Sequence, residues 1–373
     1  MAGCGTVAVE VAAGGMSGLF SDVDPLACLL TRTKSTPIDP EWLTTTVEAI
    51  ISEWKPSARP GLRRPEARQE IEDLEASTLF RAPPNVFHWF LPYVTVNLCR
   101  FLKGVDQIDA SLQEREALLA IVGSIVRQVS RADPNTASGL EVTKIRKEEL
   151  ASGLQFDVVG KLRSKTKVVS EGYRELLKES TGSRVVVVEG DSREWSKLCE
   201  KYHLFPDLVI TSPCYMSAIE YWRRHRLEYC WLGLVDPSDL ASIRRRFLGM
   251  GEEDPDINSL SPYLRRVYWT LRESGFGAQA KNFARYFNDS LSWLREMSSV
   301  ISESAGRAYV VVGSNMTRGI HVNTPRGLQE MGRQVGLKSK VVLRYALANY
   351  YMQYPTKGDI RIREETVLRF VPN

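Results

Sequence analysis

Three apolar runs constrain this chain most, because each rises as a strand and stops on an acid or hydroxyl. They are "SGLFSD" (17–22), "RVVVVEGD" (184–191) and "DLVITSP" (207–213). Later runs of the same kind are "AYVVVGSN", "KVVLRYALA" and "TVLRFVP", and residues 282–304 between them show helical spacing. Strands alternating with helices predict a doubly wound, mostly parallel α/β sheet, closed by an antiparallel hairpin at the C-terminal end. The carboxyl ends of the first three strands are expected along one edge, where open α/β sheets bind ligands.

Two long stretches interrupt that pattern. Residues 45–180 read as a helical insertion, carried by "EWLTTTVEAIISEW", "VFHWFLPYVTVNLCRFLKGV" and "LQEREALLAIVGSIVRQVSR", with "RADPNTASG" as a polar break. Residues 216–280 mix arginines and aromatics in "YWRRHRLEY", "IRRRF" and "SPYLRRVYWTL". The sheet domain is then expected over 1–44, 181–215 and 281–373. With 373 residues, 43% of them hydrophobic, the chain is long enough for one domain with insertions or for two. A net charge of +4 permits a polyanionic partner without requiring one. The six cysteines show no CxxC pair or zinc spacing, and no apolar stretch reaches membrane-spanning length; reduced thiols and a cytoplasmic location are expected.

The first residues, "MAGCGTVAVEVAAGG", place a small-residue turn before a helix, and the next strand ends at Asp22. Glycines let backbone approach a ligand, and a carboxylate at a strand tip accepts ribose hydroxyls. Taken in order, "AGCGT", "SDVDP", "EGDSRE", "TSPCY" and the late hairpin resemble the amino-methylating DNA methyltransferases that use S-adenosylmethionine. The resemblance covers roughly 1–35, 181–230 and 281–373. It implies cofactor contacts from Ala2, Gly3, Cys4, Gly5 and Thr6, a ribose contact from Asp22 with Asp24 as local competitor, an adenine contact from Asp191, and a further contact from Thr211. It also implies that the first strand of the sheet is absent, since the chain opens inside the glycine motif. A fragment or misassigned start, a strand from a second polypeptide, and a sheet closed without it are the three alternatives.

In the same family the motif [DNS]-P-P-[YFW] forms the target-base pocket, and "TSPCY" stands in its place. An exocyclic amine conjugated with a base ring is a poor nucleophile, so acceptors are needed. Ser212 and the Pro213 carbonyl are the expected acceptors, and Tyr215 the surface on which the flipped base stacks. Cys214 replaces the family's second proline, which restores an N–H and loosens the turn. A nucleophilic role for Cys214, as in cytosine ring-carbon methyltransferases, is the competing chemistry. Serine at the first motif position favours cytosine N4 over adenine N6. An RNA base methyltransferase and a catalytically silent nucleic-acid-binding subunit stay open as other readings. Tyr221, Arg223, Arg224 and Arg226 are the expected DNA contacts, against the alternative of an ordinary solvated helix face. His225 is expected to face phosphate or solvent, and His88 and His203 to pack.

Overall fold

The computed structural model describes residues 1–54, 60–134, 136, 140–179, 182–216, 221–347 and 362–373. Parts of the expected polar break, the start of the second insertion (217–220) and the tip of the hairpin (348–361) lie outside them. The molecule is mixed α/β, mainly helical, with three small sheets among the described residues.

The strands are β1 (Ser17–Asp22), β2 (Arg184–Glu189), β3 (Leu208–Thr211), β4 (Arg307–Gly313), β5 (Asn315–Thr317), β6 (Ile320–Val322), β7 (Leu337–Ala346) and β8 (Glu364–Pro372). β1 and β2 pair in parallel, Ser17 beside Arg184 through Asp22 beside Glu189. β3 and β4 also pair in parallel, Leu208 beside Arg307 through Thr211 beside Val310. β8 joins β4 antiparallel and β7 joins β8, with a register shift between Val341 and Leu343. Two sheets, β1–β2 and β3–β4–β8–β7, therefore stand where the sequence predicts one. No described strand bridges the facing edges of β1 and β3.

Helix α1 (Thr6–Ala13) follows the glycine turn, and α2 (Pro25–Ser35) follows β1. The Asp24 side chain caps α2 by accepting from the Leu26 and Ala27 amides, and Pro25 supplies a preset φ at its first turn. Among the described residues, seven helices between Pro40 and Glu179 occupy the expected helical stretch. One of them, Leu112–Val126, starts on a capping box in which Ser111 and Glu114 satisfy each other's backbone amides. These helices and α2 enclose a core that includes Leu29, Leu98, Phe101, Ile121 and Trp231, all at most 1% exposed. A second core lies under the larger sheet. There the helix Gly277–Val300 turns Phe283, Phe287, Trp293 and Leu294 inward against Val310, Leu368 and Phe370. Ala280, Phe283, Phe287, Leu291, Leu294 and Met297 recur at spacings of three and four, which puts them on one stripe. No described helix is long and apolar enough to cross a membrane.

Candidate functional site

The glycine turn is tied to the tip of β1. The Ala2 amide donates to the Ser21 carbonyl at 2.8 Å, and the Gly3 amide donates to Asp22 Oδ2 at 2.9 Å. Gly5 sits at φ 81°, and a Cβ there would lie 2.8 Å from the Thr31 Cα, so only glycine fits. Gly3, at φ 56°, differs: a Cβ would meet nothing within 4 Å, and the residue is exposed. Open space therefore lies over the turn beside Asp22. Cys4 is exposed beside Thr6, its thiol pKa lowered chiefly by the hydrogen bond to the Thr6 hydroxyl.

The two neighbouring acids do different work. Asp22 Oδ1 accepts from the Asp24 amide at 3.1 Å and Oδ2 from Gly3, which leaves each oxygen able to accept again. Asp24 is 3% exposed; it caps α2 and meets His225 Nδ1 at 2.7 Å. Burial pulls the His225 pKa down, but the hydrogen bond and charge of Asp24 outweigh it, and the net shift is upward. His225 is thus an internal partner, where the sequence predicts a phosphate-facing or solvent residue.

"TSPCY" leaves the end of β3 in the same neighbourhood. Thr211 is buried and donates its hydroxyl to the Met1 carbonyl at 3.4 Å. Ser212 is exposed and donates to the Val311 carbonyl at 3.2 Å, which orients its lone pairs. Pro213 is buried, and no described residue donates to its carbonyl. Tyr286 donates to the Cys214 carbonyl at 3.0 Å and so holds the turn that the cysteine would otherwise loosen. Burial first, and the charge of Asp22 second, push the Cys214 thiol up to about 12. The thiol is therefore protonated at neutral pH, a poor nucleophile. The Tyr215 hydroxyl donates to Glu365 on β8, whose other oxygen accepts from Tyr345 on β7. Tyr286, Glu365 and Tyr345 were not foreseen; their partners lie on distant segments, and no local pattern marks them.

Asp191 lies after β2, where it caps a short helical turn and is gripped by Arg193 at 2.6 Å. Arg193 also pairs with Asp289 at 2.8 Å. Although burial opposes ionisation, the bonds and charge of Arg193 hold Asp191 below its ordinary value. Its carboxylate is a turn and ion-pair group first, and a free adenine acceptor much less so.

The "YWRRHR" segment does not form a solvated basic row. Arg224 is 8% exposed, and burial first, then the nearby Arg127 charge, lower its pKa to about 10. The Arg226 guanidinium lies over the Trp89 ring at 5.4 Å. Tyr221 and Trp222 pack on the helical core, and Arg223 is half-buried. Arg224 and Arg226 therefore depart from the expected phosphate-facing placement, because their neighbours on the helical insertion draw them inward. Tyr221 does stand near the site: burial raises its hydroxyl pKa, with Cys214 and Asp22 adding to the rise.

The site is thus an edge at which the Ala2–Thr6 turn, Asp22 and Thr211–Tyr215 meet. Met1 is the common neighbour, hydrogen-bonded to Thr211, with the charges of Asp22 and Asp191 acting on its amino group. No metal-binding cluster of His, Cys, Asp or Glu occurs among the described residues. Comparison with protein-family models, curated proteins and solved structures finds no match for this chain.

Proposed function

We propose that this chain is an S-adenosylmethionine-dependent DNA methyltransferase acting on an exocyclic amino group, with cytosine N4 preferred over adenine N6, and that its two sheets belong to one doubly wound arrangement. The observation that carries the reading is the meeting of the Gly3–Asp22 turn with the TSPCY segment across Met1. A cofactor turn and an amine-accepting turn have to be neighbours for methyl transfer, since the reacting atoms must approach to about 3–3.5 Å.

The residues present fit such a cofactor in part. Space over Gly3 and spare acceptor capacity on Asp22 suit an amino-acid end and a ribose. Thr6, at the start of α1, adds a hydroxyl to the same turn. Asp191 fits less well, because Arg193 already occupies it. When bound, S-adenosylmethionine supplies an activated methyl on a sulfonium. Ser212 Oγ and the Pro213 carbonyl accept the two hydrogens of the target amine and direct its lone pair. Tyr215, its hydroxyl anchored by Glu365, presents a ring of fixed orientation for a flipped base. The protonated Cys214 argues against attack on the base ring. Tyr221 and Arg223, both half-buried, are the contacts with DNA that this reading retains.

Calorimetry with S-adenosylmethionine and its demethylated product tests the reading. Asp22→Ala is expected to weaken binding by about 1–3 kcal/mol, the cost of leaving hydrogen-bonding partners unmet. Tyr215→Ala is expected to leave cofactor affinity unchanged and to weaken DNA binding by about 1–3 kcal/mol, the worth of one stacked base. Absence of cofactor binding in the unaltered chain sinks the enzyme reading and favours a silent nucleic-acid-binding subunit. Transfer to RNA but not to duplex DNA moves the substrate class, and an N6-methyladenine product moves only the base.

A further inference from the structure

A cavity of about 950 Å³ opens on the helical insertion, outside the site described above. Its wall comes from the helix Arg64–Ser77, from residues 83–89, from Arg131 and from Arg226. None of these belongs to the glycine turn, to Asp22 or to Thr211–Tyr215. The inward placement of Arg226, which the candidate site does not use, sets it in this wall.

Charge is lopsided there. Four guanidinium groups, those of Arg64, Arg68, Arg131 and Arg226, line the space with one carboxylate, Glu72. None of the four forms an ion pair among the described residues. Other acids of the same helix are turned to other partners, Glu66 to Arg63, and Glu70 to Arg100 and Lys103. The Nε donors of Arg131 and Arg226 are buried and meet no acceptor among the described residues. A buried cationic donor left so is costly, and an anion in the cavity offsets the cost. At His88, in the same wall, partial burial first, and then the charges of Arg131, Lys147 and Arg226, hold the imidazole pKa below its ordinary value. The chain leaves its own positive field there unanswered.

Flat rings stand beside those charges. The Arg64 guanidinium lies over the Phe87 ring at 5.7 Å, and that of Arg226 over the Trp89 ring at 5.4 Å. Arg131 ties this segment down: its amide donates to the Trp89 carbonyl at 2.7 Å and its Nη1 to the Phe87 carbonyl at 3.0 Å. Groups held in place beforehand lose less freedom when a ligand arrives.

We propose that this cavity binds a small phosphate ester with two or more negative charges and a flat ring, a nucleoside di- or triphosphate in class. Guanidinium forks match phosphate oxygens two at a time, and the planar groups of Arg64 and Phe87 offer faces to a ring. The volume lies within the range of small-molecule sites, about 300–1,000 Å³, and a lone phosphate ion would leave most of it unfilled. The arginines converge on one cavity, whereas a nucleic-acid strand needs a groove that follows its backbone. The inference does not rest on the methyltransferase reading, because no residue of that site lines the cavity.

Calorimetry of the whole chain with ATP, inorganic triphosphate and a short single-stranded DNA tests it. ATP is expected to bind, about tenfold or more weakly in the double variant Arg64→Gln with Arg68→Gln. Glu72→Gln is expected to tighten ATP, because it removes the one opposing charge. Phe87→Leu is expected to weaken ATP and to leave inorganic triphosphate as it was. Arg64 and Arg68 are exposed, so the double variant should melt with the unaltered chain. Asp22→Ala should leave ATP affinity unchanged, which separates this cavity from the candidate cofactor site. Absence of ATP binding, an ATP affinity indifferent to the arginine pair, or its loss in Asp22→Ala overturns the proposal. Binding of single-stranded DNA without ATP overturns the small-ligand assignment, and equal affinity for ATP and inorganic triphosphate overturns the part given to the ring.

Discussion

The helical core and the β1–β2 strands both carry apolar side chains and reach opposite degrees of burial. Trp231 and Phe101 are fully covered, and Trp231 meets Phe90 edge to face at 5.7 Å. Leu19 and Phe20 of β1 are only partly covered, and Leu208 and Ile210 of β3 lie open. A helix satisfies its own backbone and needs only a neighbour for its stripe, whereas a parallel strand needs partners on both edges and cover on both faces. The first requirement is met within residues 26–247; the second is half met at the candidate site.

Truncation mutants break or sharpen that comparison most strongly. Trp231→Ala is expected to cost about 3–5 kcal/mol, the range for large aromatic deletions in a closed core. Ile210→Ala should cost well under about 1 kcal/mol, as for an exposed side chain. Denaturant melts of both variants check this, and similar losses would mean that the open strand is covered in solution.

The next effect is local strain. Gly5→Ala places a Cβ against the Thr31 backbone at positive φ and is expected to cost about 1–3 kcal/mol. Gly3→Ala, with nothing to collide with, should cost less in stability while reducing cofactor affinity. Thermal melts alongside calorimetry separate the two glycines.

A smaller effect is the pH dependence of the Asp24–His225 contact. The folded His225 pKa is raised, so its contribution to stability is full below the ordinary value of 6.5 and is lost as pH rises through the raised value. Glu228 adds to the rise and Arg224 opposes it. Melts from pH 5 to 9 should fall in midpoint across that window, and Asp24→Asn should flatten the fall. A midpoint that climbs with pH there would assign the contact a different sign.

What the sequence made legible follows the same division. The strand tips at Asp22 and Thr211, and the turn that precedes α1, could be read because glycines, β-branched runs and closing acids are local signals. The long helices were legible from periodicity. The Asp24–His225 contact spans 201 positions, and the Tyr215–Glu365 bond spans 150, so neither leaves a local trace. The arginines of "YWRRHR" misled for a related reason. Helical spacing suggests a wet face, but Trp89 and the buried Glu228 neighbourhood, reached only through tertiary packing, draw Arg226 and Arg224 inward. The divided sheet was not read from the sequence, whose alternating strands and helices predict one sheet.

The central claim is that the glycine turn, Asp22 and Ser212–Tyr215 act as one site for methyl transfer to an amino nitrogen. Single-turnover transfer of labelled methyl from S-adenosylmethionine to duplex DNA, followed by mass analysis of the product nucleosides, tests it most directly when the unaltered chain and Cys214→Ser are compared. The account predicts N4-methylcytosine from both, since the protonated thiol takes no part in the bond being made. A 5-methylcytosine product that disappears in Cys214→Ser would contradict it.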